Sequence, residues 1–213
     1  MKKLLFWMVL IVGIVALIGS CAKKEESTTA ATTSKTTTTP SGSITMGSYT
    51  ASGVYLSSCF YGSSVSTLIS AGSFPSDAQS FGFAFVVTGD DSFTQETHVF
   101  TDTGCTTSSY IGKAVSDNVT VGTASGANYP VTYNDQGVKL TVNTTTAKTW
   151  LETLYANIGV TIDMTVGTEK AIAPASTTLT YGLWTPGATT IYLASESSDS
   201  TPSTAGTTVY TKE

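Results

Sequence analysis

From Phe81 to Thr88 the chain alternates strictly: Phe81, Phe83, Phe85 and Val87 point one way, and Gly82, Ala84, Val86 and Thr88 the other. A period of two places alternate side chains on opposite faces of an extended strand, and no helix reproduces it. The same pattern recurs at Val138, Leu140 and Val142, and at Val160, Ile162, Met164 and Val166. Weaker versions cover 53–60, 92–101, 118–123, 129–134, 178–184, 189–194 and 207–212, separated by turn clusters such as Gly89-Asp90-Asp91, Asn134-Asp135-Gln136-Gly137 and Pro186-Gly187. Together they predict about ten short strands. So many antiparallel strands must hide their edges by closing into a barrel or pairing as a sandwich. The fold class is therefore all-β, an antiparallel barrel or sandwich of about eight to ten strands, with the barrel preferred. One segment departs from the pattern: Trp150, Leu151, Leu154 and Tyr155 recur at helical spacing within 146–157, ahead of Gly159. That spacing predicts one short helix packed on the sheet.

The N-terminus carries a different message. Met1-Lys2-Lys3 is a short basic region, and Leu4 through Ile18 is an apolar run too short to span a bilayer as a helix. It ends in Leu17-Ile18-Gly19-Ser20-Cys21, which resembles the lipobox of bacterial lipoproteins. The resemblance implies removal of 1–20 and diacylglyceryl attachment to Cys21, with the protein held to the membrane through its N-terminal lipid. Two or more acyl chains give stable attachment where one does not. Ala22 and Lys23 follow, without Asp at the second position. Under the enterobacterial sorting rule this implies the outer membrane of the cell envelope. Residues 21–43, rich in Thr, Ser, Ala, Lys and Glu, hold no large apolar side chain and read as a disordered tether with a span of roughly 25 Å.

The remaining 44–213 form the expected β-domain. It holds 13 acidic and five Lys side chains, and all ten basic residues of the whole chain are Lys. The net charge of −5 argues against nucleic acid as a partner. One His and three Cys are too few ligands for a zinc or iron–sulfur centre, so no cofactor and no metal are expected. With Cys21 lipidated, Cys59 and Cys105 remain, and an even pair in an exported protein reads as one disulfide.

Gly53-Val54-Tyr55-Leu56-Ser57-Ser58-Cys59, with Phe93 through Phe100 and Asp102 to Cys105, resembles a group of bacterial lipoproteins of uncharacterised function that carry a two-Cys antiparallel β-domain. Thr190-Ile191-Tyr192-Leu193-Ala194 and Thr208-Val209-Tyr210-Thr211-Lys212 extend the likeness. Gly53-x-Tyr55 is distantly similar to the G-x-W opening of lipocalins, barrels that carry hydrophobic molecules; here Tyr stands in place of Trp. The resemblance implies fold and compartment and brings no catalytic residue.

Two places could carry chemistry. Asp102-Thr103-Gly104 matches the D-T-G loop of aspartic proteases, but a second copy is missing, and an Asp that bonds its own turn is the favoured reading. His98, the sole His, shares a strand face with Thr94 and Glu96, so a Glu96–His98 pair is geometrically allowed, yet an exposed strand histidine is favoured. Asp163 and Asp90-Asp91 lack the loop that would converge oxygens on calcium. Should the helix lid an open barrel, Trp150 and Tyr155 would line the ligand space. The expected function is that of a non-enzymatic, lipid-anchored envelope protein, a monomer presenting a β binding or structural domain to an envelope protein partner. The alternative is a lipocalin-like carrier of a small hydrophobic ligand.

Overall fold

The computed structural model describes residues 36–213. The signal-like region, Cys21 and most of the tether lie outside the described residues. Twelve strands and two helices follow in order: β1 Ile44–Met46, β2 Tyr49–Ala51, β3 Val54–Leu56, β4 Phe60–Tyr61, α1 Ser63–Ser70, β5 Ser80–Val87, β6 Phe93–Phe100, β7 Ser108–Val121, β8 Tyr129–Val142, α2 Thr145–Asn157, β9 Glu169–Ala173, β10 Leu179–Pro186, β11 Thr190–Leu193 and β12 Val209–Lys212. Eight of the strands close a ring, β3-β5-β6-β7-β8-β10-β11-β12, in which β12 returns to β3 and every pairing is antiparallel. The fold is a closed barrel, and closure removes the free edges that a sandwich would have to protect.

The interior follows from the register. Phe81, Phe83, Phe85 and Val87 on β5 oppose Val99, Thr97, Gln95 and Phe93 on β6, so all eight point inward. Inward also point Tyr129, Val131 and Tyr133 of β8, which oppose Trp184, Gly182 and Thr180 of β10. One level is filled by aromatic rings: Phe93 meets Tyr133 edge-on at 4.9 Å, and Trp184 meets Phe85 and Phe93 edge-on at 5.3 and 5.2 Å. Edge-to-face rings add to simple area burial through their quadrupoles. At one end α1 contributes Val65 and Leu68 to this core, together with Phe74 edge-on to Phe81. The β1–β2 hairpin adds Ile44, Met46 and Ala51, with Gly47 held against the Tyr129 hydroxyl. Among the described residues, no helix is long and apolar enough to cross a membrane.

β7 and β8 run on past the ring and build a second core. β8 pairs with β10 over 129–134 and with β9 over 138–141, and the switch falls at a bulge that contains Gly137 at φ +104°. An added Cβ there would lie 2.3 Å from the Ala173 carbonyl oxygen, so only Gly fits. Against this extension packs α2, whose Ala147, Leu151 and Tyr155 join Leu140, Val142 and Met164. The Thr144 hydroxyl accepts a hydrogen bond from Ala147 N and caps the helix.

Four expectations need correction. There are two helices rather than one, because α1 follows the disulfide-held β4 in a Ser-rich stretch with little periodic signal. The stretch 134–137 does not turn the chain; it is a bulge inside one strand, β8. Residues 160–166 alternate without forming a strand: the edge of β8 is taken by β9, and the segment is instead tied to α2, with Met164 N donating to Glu152 and Lys148 donating to Met164 O. Finally, the tether stops short of Ser43. The hydroxyls of Thr36 and Thr38 donate to Glu96, and Ser41 N donates to Val87 O, so 36–43 lies on the barrel.

Candidate functional site

Cys59 and Cys105 form the expected disulfide, with Cα atoms 6.0 Å apart. It ties the residue just before β4 to the loop after β6. In that loop Asp102 is a turn residue, as read from the sequence: its carboxylate accepts from Gly104 N, Thr106 N, Thr107 N and the Thr106 hydroxyl. Burial would raise it, but the bonds from Thr106 and Thr107 outweigh that and hold its pKa at about 2. Such an acid is committed to its loop. Asp90 Oδ1 accepts from Ser43 N, and Asp163 is exposed beside Lys148 and Lys170.

His98 corrects another expectation. It is 2% exposed rather than solvated, and its Nε2 lies 2.6 Å from Glu96 Oε2, which is 1% exposed. The outward face of β6 reads as a solvent face because it is polar, yet Thr94, Glu96 and His98 are all buried there. Thr36 and Thr38 supply part of the cover. Burial alone would raise the Glu96 carboxyl, but His98 and the two threonine hydroxyls together hold it below the usual carboxylate range. The pair is a sealed structural contact, with its oxygens already used.

Trp150 and Tyr155, the two residues expected to line a ligand space, part company. Trp150 lines an open groove of about 870 Å³ between α1 and α2, shared with Ile69, Phe74 and Leu154. Its indole donates to Gly72 O at 2.9 Å and stands edge-on to Tyr110. Tyr155 is buried under α2 in the second core and is not among the residues that line this groove.

The interior of the barrel holds a polar group of residues that sequence reasoning missed. Beyond the aromatic level, inward-facing positions are only half-buried: Gln95 and Thr97 on β6, and opposite them Ala114 and Gly112 on β7. Their neighbours on the same face, Phe93 and Val99, are buried. At Gly112 the place of a side chain is taken by the Tyr110 hydroxyl, 2.7 Å from where a Cβ would stand. Two carboxylates lie near these positions. Asp135 sits at the β8 bulge opposite Ser116, with Thr180 Oγ1 at 3.4 Å from its Oδ2. Glu196 comes from the segment after β11, which is fastened to β10 by paired backbone bonds between Ser197 and Tyr181, and it accepts from Gln95 Nε2 at 2.7 Å. Tyr133, 1% exposed, faces Glu196, and its hydroxyl is hydrogen-bonded to that carboxyl. Burial raises the Glu196 carboxyl, against the pull of Tyr133 and Gln95, and the charge of Asp135 reinforces the rise. Burial raises Asp135 as well. The Tyr133 phenol is pushed well above its ordinary value by burial and then by Glu196.

A signal for part of this site was present: Gln95 and Thr97 are polar residues on the face that carries Phe93 and Val99. Glu196 lies in a Ser-rich loop with no periodicity to place it. Comparison with known proteins finds no matching family model and no matching curated relative.

Proposed function

We propose that the protein is a lipid-anchored binding module of the bacterial cell envelope, non-catalytic, with the chamber inside its β-barrel as the ligand site. The observation that carries the reading is the break in the core: inward-facing Gln95, Thr97, Gly112 and Ala114 keep accessible surface, and a buried phenol and two carboxylates lie beside them. A few polar groups in an otherwise apolar concavity are what fixes a small molecule in place. The lipocalin-like alternative is thereby favoured over a purely structural role, though with an amphipathic ligand rather than a wholly hydrophobic one. The residues that sequence offered for catalysis support the non-enzymatic reading, since Asp102 and His98 are engaged in local hydrogen bonds.

Attachment rests on the lipobox at Cys21. The natural form would be a monomer held by its N-terminal acyl chains, on the outer membrane if the enterobacterial sorting rule applies. The test has two readouts. Radiolabelled palmitate should enter the wild-type protein and not Cys21→Ser, and that variant should still fold. Label in Cys21→Ser would remove the anchor. For the binding half, 1-naphthol should quench tryptophan fluorescence saturably, since Trp184 stands in the barrel core; a non-saturable response would count against the chamber.

A further inference from the structure

The groove between α1 and α2 has a volume of about 870 Å³, within the range of about 300–1,000 Å³ typical of small-molecule sites. No charged side chain lines it, although the domain around it holds 13 acidic and five Lys side chains. Its apolar part is Ile69, the buried Phe74 and Leu154. One wall is a row of small polar groups: Thr145, Thr149, Thr153 and Asn157 recur at every fourth position of α2, so they share a helix face at steps of about 6 Å. All four are exposed.

These groups are not used up by the fold. On α1 the hydroxyls of Ser66, Thr67 and Ser70 turn back and donate to carbonyls one turn earlier. On α2 Thr153 does the same to Thr149 O, but the side chains of Thr145, Thr149 and Asn157 have no hydrogen-bond partner among the described residues. Trp150 stands beside the row. Its indole N–H is spent on Gly72 O at 2.9 Å, and Tyr110 meets it edge-on at 5.4 Å, so the ring is held in place while it stays half-exposed in the groove.

This lining discriminates between ligand classes. Anions find no Lys, and metal ions and amines find no carboxylate. A wholly apolar molecule would strip water from the polar row and return no hydrogen bond. A sugar ring has both surfaces that the groove offers: its C–H face packs on the electron-rich face of an aromatic ring, and its hydroxyl edge exchanges hydrogen bonds with hydroxyls and amides. We propose that the α1–α2 groove binds a neutral oligosaccharide, with Trp150 as the platform for a sugar ring and Thr145, Thr149 and Asn157 bonded to its hydroxyls. The site is separate from the barrel chamber.

The test is calorimetric titration of the full-length protein in lauryldimethylamine oxide, a detergent without a sugar headgroup. The probes are maltotriose, cellotriose and chitotriose, with glucose and N-acetylglucosamine as their single units. At least one trisaccharide should bind saturably, about tenfold more tightly than its single unit, and added salt should leave its affinity unchanged because no charge takes part. The Thr145→Val, Thr149→Val double variant, which replaces exposed hydroxyls with methyls of similar size, should bind about tenfold more weakly with an unchanged circular dichroism spectrum and melting midpoint. Trp150→Ala should abolish binding, and Trp150→Phe should retain part of it; if Trp150→Ala does not fold, the threonine variant decides. The proposal is overturned if none of the three trisaccharides binds the folded wild type, or if binding persists unchanged in the threonine variant. Binding lost in Glu196→Gln and kept in the groove variants would place the sugar in the barrel and overturn it as well.

Discussion

Single residues in this protein show how environment decides what an acid does. Asp102 and Glu196 have the same chemistry and opposite surroundings. Four donors surround Asp102 in its loop, so its pKa drops from 3.8 to about 2. A carboxyl whose folded value is depressed stabilises the fold above its unfolded value, and that stabilisation is lost as pH falls through the folded value. Asp102→Asn should therefore lower the melting midpoint by a few degrees at neutral pH. The deficit should shrink between 3.8 and about 2, and a deficit that stays constant across that range would refute the assigned role.

Glu196 runs the other way. Its folded value is raised above the ordinary 4.5, so the empty barrel is favoured below that value and loses stability as pH rises past it. Glu196→Gln should raise the midpoint of ligand-free protein at pH 8 by a few degrees and leave it unchanged near pH 4. A lower midpoint at pH 8 would mean that the carboxylate is structurally paired.

At the scale of elements, the disulfide and α2 hold parts that the ring alone does not. The Cys59–Cys105 bond closes a loop with a sequence separation of 46. On the loop-entropy model its removal costs about 4 kcal/mol. Chemical denaturation of the Cys59→Ala, Cys105→Ala double variant would check this, and an unchanged midpoint would contradict it. Leu151, fully buried under α2, should cost about 2–5 kcal/mol when truncated to Ala. The loss should appear as faster hydrogen exchange in α2 and β9 before the ring strands respond, since the two clusters are distinct.

The elements also show where sequence reasoning succeeds and where it stops. Phe81 to Val87 was legible because a strand buried on one face writes its period into the chain. The 160–166 stretch carries the same period and is not a strand, because pairing depends on a free neighbouring edge that no local pattern reports. The outward face of β6 looked solvated because it is polar; part of its cover comes from Thr36 and Thr38, some 60 positions away. The disulfide was legible from cysteine arithmetic and the Asp102 turn from its neighbours. Glu196 and Asp135 were not, since what joins them is barrel closure: they are 61 positions apart in the chain.

The whole molecule is an eight-stranded ring with one sealed aromatic level and, beside it, a level whose inward-facing positions are only half-buried. In a barrel of this size the interior is either filled by side chains or holds one small ligand. The α1 helix and the β1–β2 hairpin add to the sealed core, and β8 leaves β10 for β9 at the bulge where Asp135 turns inward. Rings on one level fix the frame, and the half-buried level beside it is where we propose that a ligand sits. The most direct test is native mass spectrometry of the full-length protein purified from bacterial membranes. The account predicts a monomer at the mass of the acylated, oxidised chain plus a small ligand that departs on unfolding. A monomer at the mass of the acylated chain alone, with no ligand retained under the gentlest conditions, would contradict it.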